Sequence, residues 1–259
     1  MEAGELVNER VGEAESGWSD EPTRTVGSPD AMDCTAASPP VWGAAYRFVA
    51  TAYLLVSFVY MRFWLERLPM ITFTSQNFLL LTAAFTTLSV GTVATCAVAS
   101  TASPPSSPTR CAYVVKHLQQ FSCDFFSLAL ANALFLDVVW WLILRPMDLP
   151  GTWRDYWNWM AHGPINLAVC LGECCLNRCQ AAAYVLYVGV AYLMCYFLFG
   201  VIYFLTRGEW IYFFLDIRKP LDCLLLLITL LWYVVCHRLV RALQHLRSRF
   251  YGDALPLPQ

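Results

Sequence analysis

Ionisable and amide side chains are costly inside apolar stretches, so where they occur they mark specific packing or chemistry. In this chain they are few. Asp124, Asp137, Glu173 and His237 lie within apolar runs, Asp222 lies near the end of one, and Asn132 and Asn166 add neutral polarity. Asp137 sits in LFLDVVWW without a charged neighbour in sequence, so a partner must come from another segment or the group stays uncharged. It suits a functional role and an interhelical hydrogen bond equally. Glu173 is close to Arg178 and is expected to reach the interface in a structural role, and His237 beside Arg238 is read the same way. A second group borders the apolar runs: Thr74 and Ser75, His162 with Asn166, and Trp210, Tyr212 and Asp216. Hydroxyl, imidazole, amide and carboxylate together are what a hydrolytic or ligand-binding site needs. Whether they meet depends on the elements that carry them.

Those elements are set by length and hydropathy. Of 259 residues, 58% are hydrophobic and 14% charged, where a soluble domain has about 45–50% and about 25%. A helix needs about 20 apolar residues to cross the hydrocarbon core. Five stretches are long enough: Val41–Trp64, Thr72–Val98, Phe121–Leu144, Ala181–Thr206 and Leu221–Leu239. A further candidate, Gly163–Asn177, is shorter and holds Glu173. It reads as a short span, with re-entrant and interfacial placements as alternatives. The predicted fold is therefore an all-α polytopic transmembrane helix bundle of about six spans, residues 41–242. A disordered acidic tail, 1–40, precedes it, and a short basic tail, 243–259, follows. The Pro/Ser-rich stretch at Ala102–Pro108 is a predicted loop. Trp153, Tyr156, Trp157 and Trp159 fit an aromatic belt at the membrane surface.

Because successive spans alternate in direction, their ends sort by parity. The starts of even-numbered spans share one side with the ends of odd-numbered spans. Thr74, Ser75, the later half of the third span with Asp137, His162, Asn166, Trp210, Tyr212 and Asp216 then fall toward one leaflet. This placement requires that the fourth segment cross. Arg238, Arg241, Arg247 and Arg249 place the C-terminus in the cytoplasm by the positive-inside rule, and an even span count places the N-terminus there too. The first span is expected to serve as the insertion signal, since no cleavable signal peptide is recognisable.

A net charge of −2 with scattered basic residues gives no reason to expect a nucleic-acid partner. The expected partners are the lipid bilayer and a lipid-like substrate. Eleven cysteines lie mostly in apolar runs, where a free thiol packs as a small hydrophobe. Cys174, Cys175 and Cys179 form a CC-x3-C cluster without a second ligand pair at a metal-binding spacing. No metal or cofactor is implied.

Four runs carry a family resemblance. LDVVWWLILRP (Leu136–Pro146), HGPINLAVCLGECCLNR (His162–Arg178), EWIYFFLDIRKP (Glu209–Pro220) and FTSQNFLLLTAAF (Phe73–Phe85) resemble, in order, conserved blocks of the rolling-stone and androgen-induced-protein family of multi-span membrane proteins. The second run resembles the family's H-x-x-N-x-x-x-x-x-x-E pattern, and the third its W-x-Y-P-F-L-D motif. Two departures stand out. Counted from Asn166 and Glu173, the family histidine falls at Gly163, so His162 is one residue early, and Phe213 replaces the motif proline. Androgen-induced members are threonine hydrolases that cleave fatty-acid esters of hydroxy fatty acids. The resemblance implies Thr74 as nucleophile and His162 as base or proton shuttle, with Asn166 or Asp137 orienting them and Glu173 in support. Pro164 suits a first helical turn, which leaves His162 just outside the helix.

Three functions remain open on the sequence: a lipid-ester hydrolase, a non-catalytic protein of membrane organisation, and a transporter with Asp137 and Glu173 along its path. Thr72, Thr74 and Ser75 have a competing role, the bonding of backbone groups at a helix start.

Overall fold

The computed structural model describes residues 41–64, 72–101, 110–144, 162–176 and 180–254. All regular structure among them is helical. Helix α1 (Val41–Val59) ends in a π-helical turn, Tyr60–Trp64, and is followed by α2 (Phe73–Thr101). Helix α3 (Arg110–Val139) runs into a second π turn, Trp140–Leu144; α4 (Pro164–Leu176) and α5 (Val185–Arg207) follow. A 3-10 turn, Phe213–Leu215, leads to α6 (Pro220–Ala254). Five of these segments are long and apolar enough to cross a membrane: Val41–Val59, Phe73–Val98, Arg110–Leu144, Val185–Arg207 and Pro220–Phe250. The chain is an all-α, multi-pass integral membrane protein. The expected N-terminal tail, the loop at Ala102–Pro108 and the aromatic cluster Trp153, Tyr156, Trp157 and Trp159 lie outside the described residues.

Two helices outrun their apolar cores. Helix α3 begins at Arg110 rather than near Phe121, and α6 continues from the expected end at Leu239 to Ala254. Nothing in RCAYVVKHLQQ or in RALQHLRSRFYGDA breaks a helix. Apolar length limits the part in lipid, not the helix itself.

Helix α3 is the most enclosed, packing against α2, α5 and α6. Ala84 on α2 and Ala129, Ala131 and Ala133 on α3 are buried, and residues this small let helix backbones approach closely without a hydrophobic drive between them. Buried hydroxyls turn back on their own helices. Thr82 donates to the Phe78 carbonyl, Thr92 to that of Leu88 and Ser127 to that of Cys123, each at 2.8 Å. Lipid supplies no partner, so each group must be satisfied internally. The outward faces of α5 and α6 carry exposed Tyr187, Leu205, Leu221 and Leu231.

Asp124 has a structural role. It accepts from the backbone N–H of Ala182 at 2.9 Å, from the Tyr184 hydroxyl at 2.5 Å and from Gln120 at 3.0 Å, fixing the chain as it enters α5. Gln244 on α6 completes this end of the bundle, donating to Ser127 at 2.7 Å and accepting from Ala181 N–H at 3.1 Å.

The short helix α4 has 13 residues, about 20 Å of rise. It starts beside the start of α2, where His162 meets Thr74. Its last turn carries Glu173, which pairs with Arg47 of α1, and Arg47 in turn reaches Thr92 of α2. Thr92 is about 27 Å along α2 from Thr74. The chain therefore passes from one end of the bundle toward the other between α3 and α5, and long side chains make up what the helix lacks.

Glu173 does not reach the interface as its sequence position suggested. Its side chain is 0% exposed and that of Arg47 11%. The guanidinium donates to Glu173 from Nη2 at 2.7 Å and from Nε at 2.9 and 3.2 Å, and from Nη1 to Thr92 at 2.7 Å. Burial without a partner would leave an uncompensated carboxylate, so the cation of α1 fixes where α4 lies. The cysteines also need one correction. Cys123 is disulfide-bonded rather than a packing thiol, while Cys170, Cys174 and Cys236 are among those that are free.

Candidate active site

The site assembles where α2 begins. Thr72 caps that helix: its hydroxyl pairs with Ser75 Oγ at 2.8 Å and accepts from Ser75 N–H at 3.3 Å. Capping by Thr72 satisfies a donor of the first turn. Thr72 and Ser75 thus take the helix-start role, and the Thr74 hydroxyl is directed elsewhere. Thr74 Oγ1 lies 3.3 Å from His162 Nε2. Thr74 is half-buried and His162 is 2% exposed.

His162 is itself in helical conformation and is separated from α4 by a bend at Gly163; from there its ring reaches α2. The ring is stacked on Trp140, with centroids 4.5 Å apart and planes 9° from parallel. Trp141 donates its indole N–H to the His162 carbonyl. Both tryptophans lie in the π turn that ends α3. Such a turn shifts the register of side chains relative to a continuous α-helix, and here the shifted pair addresses one histidine. His162 Nδ1 has no hydrogen-bond partner among the described residues.

The expected supporting groups divide. Asn166 is buried one turn along α4 from His162. Asp137 lies one turn before Trp140 but makes no hydrogen bond to His162 or Thr74, and its Oδ1 is buried without a partner among the described residues. Orientation of the imidazole therefore falls to the two tryptophans rather than to Asp137. Glu173 acts at the far end of α4, through Arg47.

Tyr212 belongs to the site directly. Its hydroxyl accepts from the backbone N–H of Phe73 at 3.2 Å, next in sequence to Thr74. Trp210 and Asp216 do not reach the threonine. Trp210 stacks on Phe204, with centroids 4.4 Å apart, and the Arg218 guanidinium lies 4.9 Å from the same Phe204 ring. Asp216 accepts from Arg218 Nε at 2.6 Å, and Arg218 holds this carboxyl down to about 2. These four residues close the α5–α6 connection, which turns at Gly208 in the left-handed region (φ 75°).

An apolar cavity of about 250 Å³ adjoins the site. Phe73 and Tyr212 form part of its wall, which continues along Phe135, Leu136, Leu226 and Leu230. An apolar cavity of about 150 Å³ already holds benzene, so this one has room for part of a hydrocarbon chain. Neither Trp210 nor Asp216 lines it.

Arg47 is the group the sequence reading passed over. The signal was available: a cation within the first apolar run and an anion within the fourth, each without an opposite charge inside its own run. Among the described residues no group of His, Cys, Asp and Glu is arranged to hold a metal ion. No protein-family model matches this chain, and neither a curated protein nor a solved structure matches it.

Proposed function

We propose that this protein is an intramembrane lipid-ester hydrolase in which Thr74 is the nucleophile and His162 its base. The observation that carries the reading is the 3.3 Å approach of Thr74 Oγ1 to His162 Nε2 beside an apolar cavity. A hydroxyl needs a neighbouring base to become nucleophilic, and a resting separation slightly beyond 3.2 Å is compatible with closure when substrate binds. His162 takes the Thr74 proton, Thr74 Oγ1 bonds to the ester carbonyl carbon, and the proton passes to the departing alkoxide. Water then releases the acyl group from Thr74, with His162 again acting as base.

The resemblance to the rolling-stone and androgen-induced-protein family supports the same pair and points to fatty-acid esters of hydroxy fatty acids as the substrate class. A hydrocarbon chain in the cavity would lie beside Phe73 and Tyr212, with its carboxyl end toward Thr74. The basic residues Arg238, Arg241, Arg247 and Arg249 favour a cytoplasmic C-terminus. The site is at the opposite end of the bundle and would then address the exoplasmic leaflet.

The test is hydrolysis of such an ester by the purified protein in nanodiscs. Thr74→Ala should abolish it, with yield and gel-filtration profile unchanged. Full activity in Thr74→Ala would overturn the nucleophile assignment. Absence of any ester cleavage by the wild type would favour a non-catalytic role in membrane organisation.

A further inference from the structure

We infer that Asn77, Asn132, Tyr233 and His237 form a site for ordered water in the interior of the bundle, one that stands whether or not Thr74 is a nucleophile. An aromatic layer sets its level. Phe135 of α3 lies against Phe73 of α2, with centroids 5.9 Å apart, and against Tyr233 of α6, with centroids 5.6 Å apart. Both neighbours run antiparallel to α3, since Phe126 meets Phe85 at 5.6 Å and Ser127 accepts from Gln244 at 2.7 Å.

One turn from that layer, in the same direction along the bundle, each of the three helices carries a buried polar side chain. Asn77 comes four residues after Phe73, Asn132 three before Phe135, and His237 four after Tyr233. A step of three or four residues is about 5–6 Å along a helix and stays on one face. The three groups therefore lie at one level, on faces that already pack together. Helix α5 admits the Tyr233 hydroxyl to the same level. Gly189 comes three residues before Tyr192, whose ring meets Phe73 at 5.5 Å, and a Cβ on Gly189 would overlap the Tyr233 hydroxyl.

This polar layer is closed to its surroundings. Asn132 and Tyr233 are 0% exposed, His237 1% and Asn77 3%. Among the described residues, six of its polar atoms have no hydrogen-bond partner: Asn77 Oδ1, Asn132 Oδ1 and Nδ2, the Tyr233 hydroxyl, and both ring nitrogens of His237. Interiors pair such groups almost without exception, and lipid offers neither donor nor acceptor. The chemistry of the set identifies the occupant. Amide, phenol and imidazole present donors and acceptors together, with no carboxylate among them. Water, which both donates and accepts, matches that mixture, whereas a cation would face the Asn132 amide N–H groups. A buried water makes about three hydrogen bonds, so six atoms suit about two waters. They would lie between the Thr74–His162 pair at one end of the bundle and the Ser127–Gln244 pair toward the other.

The experiment is radiolytic footprinting of the full chain in nanodiscs, in which an X-ray pulse makes hydroxyl radicals from water and these oxidise the side chains beside it. Tyr233 and His237 should be oxidised at rates comparable with Tyr113, which is exposed. Phe85 and Phe126, also aromatic and buried in the apolar core, should stay unmodified. Asn132→Leu removes two of the six atoms and should abolish labelling of Tyr233 and His237. Asn77→Leu should lower it and serves if Asn132→Leu does not fold. Wild-type rates at Tyr233 and His237 no higher than those at Phe85 and Phe126 would overturn the site, as would labelling undiminished in both variants. Labelling that requires sodium or potassium in the buffer would assign the layer to a cation and overturn the choice of water.

Discussion

Replacing Arg47 by methionine tests the contact that fixes the short helix α4. Met has similar length and no charge, so the substitution leaves the Glu173 carboxylate at 0% exposure without its cation. Three donor contacts to Glu173 are lost, at 2.7, 2.9 and 3.2 Å, as is the 2.7 Å bond to Thr92. Two opposite charges with centres about 4 Å apart attract by about 4 kcal/mol at an effective dielectric of about 20. Removal of one partner from a buried pair costs about 3–5 kcal/mol, in line with that figure. Salt screens such a site little. The assay is equilibrium unfolding by SDS in mixed micelles, followed by tryptophan fluorescence. Arg47→Met should lose about 3–5 kcal/mol, a large part of the roughly 5–15 kcal/mol that stabilises a typical domain. Arg47→Met with Glu173→Leu removes both charges and should recover to within about 1 kcal/mol of wild type, since an apolar pair avoids desolvation altogether. A single variant within about 1 kcal/mol of wild type would refute the argument, as would a double variant no more stable than the single.

Gly189 faces the hydroxyl and ring of fully buried Tyr233, and an added Cβ would overlap both. Gly189→Ala should therefore cost about 1–3 kcal/mol in the same unfolding assay, and Tyr233→Phe in the same chain should relieve part of it. Asp216 has a carboxyl held down to about 2 by Arg218. A depressed folded-state value means that its stabilisation is complete above the unfolded value of about 4 and is lost as pH falls through about 2. Hydrogen-exchange protection factors across residues 216–219 should thus be unchanged between about pH 7 and pH 5, whereas Asp216→Asn should lower them throughout that range. A C-terminal epitope tag should be reached by antibody after selective permeabilisation of the plasma membrane and not in intact cells. Labelling in intact cells would reverse the orientation and place the Cys123 disulfide end on an oxidising side.

The residues that make the membrane-spanning helices were legible because lipid imposes a length rule on each segment separately. Val41–Trp64 and Thr72–Val98 nearly coincide with α1 and α2 for that reason. The rule is silent once a helix leaves lipid, and α3 and α6 extend beyond their apolar runs accordingly. Alternation of spans placed Thr74, His162 and Tyr212 at one end of the bundle from order along the chain alone.

Direct contact is a finer matter that order cannot settle, because it depends on rotation about each helix axis and on the bends at its ends. Asp137 and His162 share an end of the bundle and form no hydrogen bond, while a π turn at Trp140 and Trp141 brings two indoles onto the histidine instead. Thr72 and Ser75 bind one another at the helix start, which leaves Thr74 for His162, and no propensity separates these neighbouring hydroxyls in advance. Glu173 looked like an interfacial carboxylate until Arg47, 126 residues away in sequence, came to its side. Sequence by itself determined which segments enter the membrane and which polar groups share an end, since both follow from local apolarity and chain direction. Tertiary structure alone decided which of those groups meet, because hydrogen bonds and ion pairs act over about 3 Å while chain order places a side chain only to within a helix turn.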